Sequence, residues 1–360
     1  MKIAIILGTR PEIIKLSPVI RECINRNLDY FIIHTNQHYS KNMDEIFFED
    51  LELPKCKYNL GIGSGSQGEQ TGKMMIELEK VLISEKPSVA IVQGDTNSVL
   101  AGALVASKLG IRIAHVEAGL RSYDRTMPEE INRILTDHLS DYLLVPTESS
   151  KNIVLNEGIS SEKIFSVGNT IVDSVFENLK LAENKSEILK KINLSKNNYF
   201  LATLHRPSNV DNKKKLSGIL EAFGLISSKY KIPVLLPIHP RTEKMINLFN
   251  LNIPQGVLIV DPLGYLDFLK LEANSRAILT DSGGIQEEAC ILQVPCITLR
   301  ENTERYETLK TGSNILAGSN LEKIISSLDL MLKREKNWSN PFGDGKSSKK
   351  IIDILLKHEN

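Results

Sequence analysis

Short apolar runs, each followed by a polar turn and a helical repeat, recur along the chain from its first residues. Runs of this length bounded by turn signals read as buried strands. In the first half they fall at Lys2–Leu7, Tyr30–Thr35, Ser88–Gln93, Ile111–His115, Tyr142–Pro146 and Lys163–Val167. Helical patterns lie between them, among them 67–86, a stretch ending at Leu109, and 148–157. Gly61–Ser66 is glycine-rich, follows no strand and precedes no helix closely, and reads as a mobile loop. A charged, Lys-rich helical stretch at 171–197 reads as the linker. A second series of runs then begins, at Tyr199–Thr203, Val234–Ile238, Val257–Val260, Ala277–Thr280 and Cys296–Leu299. Regular β-α alternation predicts an α/β protein with parallel sheets covered on both faces. Two Rossmann-like domains follow, over residues 1–170 and 171–346. In the tail, Ile351, Ile352, Ile354, Leu355 and Leu356 make a helix at 347–358 that must pack against something.

At 360 residues the chain is long for one core and comfortable for two. With 44 basic and 44 acidic residues, net charge is zero and no electrostatic footprint for nucleic acid is present. An anionic ligand has to be held by local groups. Cys23, Cys56, Cys290 and Cys296 form no paired motif, which fits free thiols in a reducing cytoplasm. No apolar run approaches the roughly 18 residues that span a membrane. The expectation is a cytoplasmic protein with neither nucleic-acid nor membrane partners.

The stretch from Ile111 to Arg133 carries the first candidate chemistry. Its strand delivers Glu117 where parallel strands present functional groups. Pro128 then opens a helix, a position where its missing N–H costs nothing. Ile131, Ile134, Leu135, His138 and Leu139 recur at the spacing of one buried face, with Glu129 roughly opposite in the first turn. A strand-end Glu and a dipole-matched surface Glu would look the same locally. Elsewhere, 276–288 reads as strand, small-residue turn and helix start. Gly283 and Gly284 let phosphates approach the backbone N–H groups, and Glu288, one turn in, is set to reach a ribose. Arg300 and Arg305 offer cations after the next strand, and Phe268 an aromatic face or a core side chain. His205-Arg206 and His239 follow strands. The dinucleotide fingerprint is missing after Leu7, and Asn36-Gln37-His38 stands where an acidic ribose ligand would. None of the seven His residues makes a metal-ligand pattern. Neither a catalytic metal nor a nicotinamide cofactor is expected.

Gly8-Thr9-Arg10-Pro11-Glu12 with Lys15, Gln93-Gly94-Asp95-Thr96, 115–121, Pro128-Glu129-Glu130, Asn132-Arg133, His205-Arg206, 281–288 and Thr303-Glu304-Arg305 run in one order along the chain. In that order they resemble the non-hydrolysing UDP-N-acetylglucosamine 2-epimerase family. The resemblance implies two GT-B-like Rossmann domains facing a central cleft, with the helix at 347–360 returning to the first, and a homodimer. It implies interconversion of UDP-GlcNAc and UDP-ManNAc through elimination of UDP, with no cofactor. By motif position Asp95, Glu117 and Glu129 are the acid–base candidates and His205 lies close to the diphosphate. Arg10, Lys15, Phe268, Ser282, Gly283, Gly284, Glu288 and Arg305 correspond to contacts with the UDP-sugar.

Bacterial members carry an allosteric UDP-GlcNAc site, of which Gln37, Arg206 and His239 remain here. Ser40 stands where those members tend to have a larger amide, and Pro207-Ser208 where many continue with Arg-Glu. A hydrolysing epimerase releasing ManNAc and UDP, a GT-B glycosyltransferase and a non-catalytic nucleotide-sugar sensor share parts of the pattern.

Overall fold

The computed structural model describes residues 1–37 and 41–358. They form two compact units, residues 1–177 with 342–360, and residues 178–341. The chain leaves the first unit inside the helix Thr170–Lys185. No described helix is long and apolar enough to cross a membrane.

The first unit is built on a parallel sheet of seven strands. These are β1 (Lys2–Leu7), β2 (Asp29–His34), β3 (Tyr58–Asn59), β4 (Val89–Gln93), β5 (Arg112–Val116), β6 (Tyr142–Val145) and β7 (Ile164–Ser166). Their order is β3-β2-β1-β4-β5-β6-β7. Both faces of the central strands are apolar because helices cover both. Met74, Leu78 and Leu82, spaced one helical turn apart on the helix Gln67–Glu85, close one face over Ala4, Ile6, Ala90 and Val92. Each such buried side chain contributes about 1.5–3 kcal/mol. The tail helix Ser347–Lys357 belongs to this unit and packs on the helix Arg10–Asn25. The buried Asp173 carboxylate anchors its start, accepting from the Ser347 and Ser348 N–H groups at 3.1 and 2.8 Å.

The second unit has six parallel strands. They are β8 (Phe200–Thr203), β9 (Val234–Pro237), β10 (Val257–Val260), β11 (Ile278–Thr280), β12 (Cys296–Thr298) and β13 (Asn314–Leu316), in the order β10-β9-β8-β11-β12-β13. The expected α/β class with two Rossmann-like domains is therefore present. Two strands were not expected, β3 and β13. Both are edge strands of two and three residues, too short for an apolar run to register.

Gly61–Ser66 departs from the expected mobile loop. It follows β3 and leads directly into the helix at Gln67. Gly63 donates its N–H to the Asn36 carbonyl at 2.9 Å, and its own carbonyl accepts from Gln70 Nε2 at 2.7 Å. The first is a backbone bond to a distant loop and the second comes from a side chain in the following helix, so the composition of the loop itself carried no signal of either.

In both sheets the strand order reverses once, between β1 and β4 and between β8 and β11. Doubly wound sheets bind ligands outside the strand C-termini at such a reversal, because the two following helices diverge to opposite faces there. The turns beyond β1 and β4 are 8–9 and 94–96, and those beyond β8 and β11 are 204–206 and 281–282, each leading straight into a helix. Each of these turns carries a motif singled out from the sequence.

Candidate active site

In the first unit, Glu117 follows β5 with φ +69°, a left-handed backbone that few residues without glycine's freedom adopt. Such strain concentrates at functional positions. Its carboxylate is 6% exposed and held on all sides. Lys15 Nζ lies 2.7 and 2.6 Å from its two oxygens, Gln93 Nε2 donates at 2.5 Å, and Asn169 Nδ2 at 3.4 Å. Lys15, expected to contact the nucleotide, thus has its ammonium on Glu117. Gln93 pairs with Val116 across β4 and β5, so Asp95 leaves the neighbouring strand end. Arg133 Nη2 binds Asp95 Oδ2 at 2.5 Å, and Asn132 Nδ2 donates to the Asp95 carbonyl at 2.9 Å. Glu129 is exposed in the first turn of the helix Pro128–Leu139. Arg10 sits over the Phe47 ring, 5.2 Å from its centroid.

That helix corrects one expectation. Ile131 and Leu135 are 44% and 46% exposed and His138 is exposed; Ile134 is half-buried and Leu139, as expected, packs against the core, while Glu130, Asn132, Thr136 and Asp137 are buried. The polar face is turned inward because it holds the loops that carry the candidates. Glu130 accepts from Ser122 N–H at 2.8 Å, Tyr123 N–H at 2.9 Å and Arg133 at 2.9 Å. Burial raises its carboxyl, but these donors outweigh burial and hold it below the usual range. Asp137 Oδ1 meets His115 Nδ1 at 2.7 Å, and its Oδ2 accepts from Gly119 N–H at 3.1 Å and pairs with Arg121 at 2.7 Å. His115 Nε2 faces the Gly94 carbonyl at 2.8 Å; a carbonyl only accepts, so this nitrogen carries a hydrogen. Burial again raises Asp137, and His115 with Arg121 brings it below its ordinary value. Sequence reasoning missed this buried network; polar residues at i and i+7 on an amphipathic helix were its one signal.

Gln37 has a structural role in this unit: its Oε1 accepts from Ser98 N–H at 3.0 Å and Ser98 Oγ at 2.8 Å. His38 and Ser40 lie outside the described residues.

In the second unit Ser282 precedes the helix Gly283–Ile291, with its N–H on Thr280 Oγ1 at 2.9 Å. Gly283 is buried and Gly284 exposed. A Cβ on Gly284 would meet nothing within 4 Å, so packing within the chain does not require glycine there. The helix start offers N–H groups and the positive end of its dipole to an anion. His205 Nδ1 lies 2.9 Å from Asp281 Oδ1, and the His205 ring is 5.6 Å from that of His239. Burial raises Asp281; His205 and the backbone N–H groups of Arg206 and His205 more than offset this. Arg206 Nε donates to the Asp281 carbonyl at 3.1 Å. His239 caps the helix Pro240–Leu248, its Nδ1 accepting from Arg241 N–H at 3.1 Å, and burial first, then His205, lowers its pKa. Glu288 is buried and accepts from Tyr265 OH at 3.2 Å. Behind it Glu272 is wholly buried, and burial together with Glu288 pushes its carboxyl well up. Arg305 pairs with Glu287 at 2.9 Å. Phe268 is half-buried against the core formed by Tyr199, Leu271 and Ile278. Among the described residues no group of three or more His, Cys, Asp or Glu is placed to hold a metal ion.

Two doubly wound parallel sheets, with charged side chains gathered where each reverses, define a GT-B-like protein of two Rossmann-like domains. The family model described as UDP-N-acetylglucosamine 2-epimerase matches residues 21–356. The chain belongs to the UDP-N-acetylglucosamine 2-epimerase family. It is 60% identical over 361 residues to the UDP-N-acetylglucosamine 2-epimerase of Methanocaldococcus jannaschii, covering 99% of each chain. A crystal structure of the enzyme from that organism, in complex with UDP-GlcNAc and UDP, aligns with a TM-score of 0.87 over 99% of this chain and 100% of that one, at 60% identity. The UDP-2,3-diacetamido-2,3-dideoxy-D-glucuronate 2-epimerase of Pseudomonas aeruginosa is 43% identical over 361 residues, 99% of this chain and 100% of its own.

Proposed function

We propose that this chain is a non-hydrolysing UDP-N-acetylglucosamine 2-epimerase, interconverting UDP-GlcNAc and UDP-ManNAc. The names of its relatives and the UDP-GlcNAc complex of one of them support the substrate. C2 of the sugar carries no acidic proton, so its stereochemistry cannot be inverted by simple deprotonation. In the proposed route a base takes the C2 proton while the C1–O bond to UDP breaks, giving 2-acetamidoglucal and UDP. A proton then returns to C2 from the opposite face as UDP re-forms the bond at C1. No net oxidation occurs, and the two proton transfers need groups on opposed faces of one ring.

The first unit supplies these groups in this reading, as Asp95, Glu117 and Glu129. The second holds the nucleotide through Ser282, Gly283, Gly284, Glu288 and Phe268, with His205 and Arg305 toward the diphosphate and Arg10 also contacting UDP. Positive groups near the departing UDP stabilise the charge that develops on it. The observation that carries the reading is Glu117, a carboxylate in left-handed backbone whose oxygens are fixed by Lys15 and Gln93. Left-handed backbone also occurs at plain helix ends such as Lys86 and Lys231, so the weight falls on the buried carboxylate fixed at the strand end.

The protein is also proposed to be a homodimer. The outward row of Ile131 and Leu135 on the Pro128 helix, with Met127 one turn before, is the apolar surface that supports a second copy docking there.

Proton NMR of UDP-GlcNAc incubated with the protein in D2O tests the reaction. Intact UDP-ManNAc carrying deuterium at C2 is expected, with activity unaffected by EDTA. Free ManNAc and UDP would identify a hydrolysing enzyme instead, and an unchanged donor a glycosyltransferase or a sensor. Glu117→Gln and Glu129→Gln should each slow exchange by on the order of 10²–10⁴ while UDP affinity holds. A folded variant exchanging at the wild-type rate removes that residue from the mechanism.

A further inference from the structure

The segment after β12 brings Arg300 and Glu304 to the start of the Gly283 helix, and proton transfer uses neither. Glu304 lies with its Oε1 against that start: a Cβ built on Gly283 would be 2.7 Å from it. Two guanidiniums hold the carboxylate, Arg300 Nη2 at 2.9 Å from Oε2 and Arg206 Nη2 at 3.4 Å from Oε1. A helix start and two arginines are the surroundings that a phosphate seeks. Burial raises the Glu304 carboxyl, yet Arg300 and Arg305 more than reverse this and hold it at about 2. Glu304 therefore occupies an anion's position as an anion.

Two further observations concern what happens when a larger anion arrives. Arg300 Nη1 is buried and has no hydrogen-bond partner, so the carboxylate leaves one donor of that guanidinium unused. A diphosphate presents more acceptor oxygens than one carboxylate and can take it up. The other acid at this turn, Asp281, cannot step aside, because it is fully buried and accepts from His205 N–H, Arg206 N–H and Asn209. Glu304 is about two-fifths exposed, with 39% of its side chain open to solvent, and has room to swing outward.

We propose that Glu304 is a built-in stand-in for the diphosphate of the nucleotide, and that binding displaces it and transfers Arg300, with Arg206, to the phosphates. Arg300 is then a diphosphate-binding residue. The inference rests on the reading of the second unit as the nucleotide site.

Calorimetric titration of the full chain with UDP, inorganic pyrophosphate and uridine tests it on wild type, Glu304→Gln and Arg300→Gln. Removing a competing charge should tighten pyrophosphate and UDP by about tenfold in Glu304→Gln, a moderate gain for a like charge at this range, and leave uridine unchanged. The gain should shrink at high salt. Arg300→Gln should weaken both phosphate ligands by a similar factor. Pyrophosphate binding that is unchanged or weaker in Glu304→Gln overturns the proposal, since the carboxylate would then be orienting the arginines rather than competing with the ligand. If Arg300→Gln does not fold, the Glu304→Gln comparison decides alone. UDP that binds none of the proteins removes the nucleotide reading itself; UDP that binds wild type and Glu304→Gln equally removes only the role of Glu304.

Discussion

Glu12 ties together the two turns that flank the reversal in the first sheet. It accepts from the N–H groups of Gly8 and Thr9 at 2.7 Å each and from Thr9 Oγ1 at 3.0 Å, while Thr96 Oγ1 donates to its other oxygen at 2.6 Å. Burial pushes its carboxyl up from 4.5 to about 7, against the lowering effect of these four donors. A carboxyl whose pKa is higher in the folded state favours folding below its unfolded pKa and loses that contribution as pH rises through the folded one. Between about pH 4.5 and 7 the wild type should thus lose stability that Glu12→Gln, which cannot ionise, does not lose. The variant should be the weaker protein at pH 5, with the gap narrowing by up to about 3 kcal/mol by pH 8. Denaturant titrations of both proteins at several pH values read this directly. A gap that stays constant would mean that Glu12 does not titrate in this range.

At the scale of elements, the Pro128 helix works as a bracket. One buried carboxylate on it, Asp137, reaches the loop after β4 through His115 and the loop after β5 through Gly119 and Arg121. Arg121 is buried to 1% exposure and gains a second partner in Glu157 at 2.6 Å. Asp137→Asn would leave Arg121 and His115 facing a neutral amide, and breaking such a buried pair costs about 3–5 kcal/mol. A large fall in melting temperature is expected, together with slower C2 exchange, because Asp95 and Glu117 leave the strand ends that this network braces. A change in stability within about 0.5 kcal/mol would show that the network is not under load.

For the whole molecule, the inverted polarity of the same helix turns into an oligomerisation test. Ile131 and Leu135 are exposed on the face that sequence periodicity assigned to the core. If that face docks a second copy, Ile131→Asp with Leu135→Lys should give a folded monomer by light scattering, with the wild type a dimer. Both side chains are exposed within one copy, so the melt of each unit should survive. A variant that stays dimeric would move the interface elsewhere.

Periodicity of the apolar runs was sufficient to read the α/β class, both sheets and the central strands, because a strand buried on both faces must be apolar throughout. The turns at both reversals were legible for a related reason: a glycine, a helix-opening proline or a lone carboxylate at a strand end leaves a local mark. Edge strands β3 and β13 were not legible, since two or three residues paired on one side need little apolar character. Nor was the inward polar face of the Pro128 helix. Hydrophobic spacing reports that a helix has two faces, but which one points inward depends on the partners waiting there, and these are His115, Gly119, Arg121 and Ser122, brought close only by the fold. The seating of Glu304 at the Gly283 helix is of the same kind, a contact across two loops whose meeting no local pattern encodes.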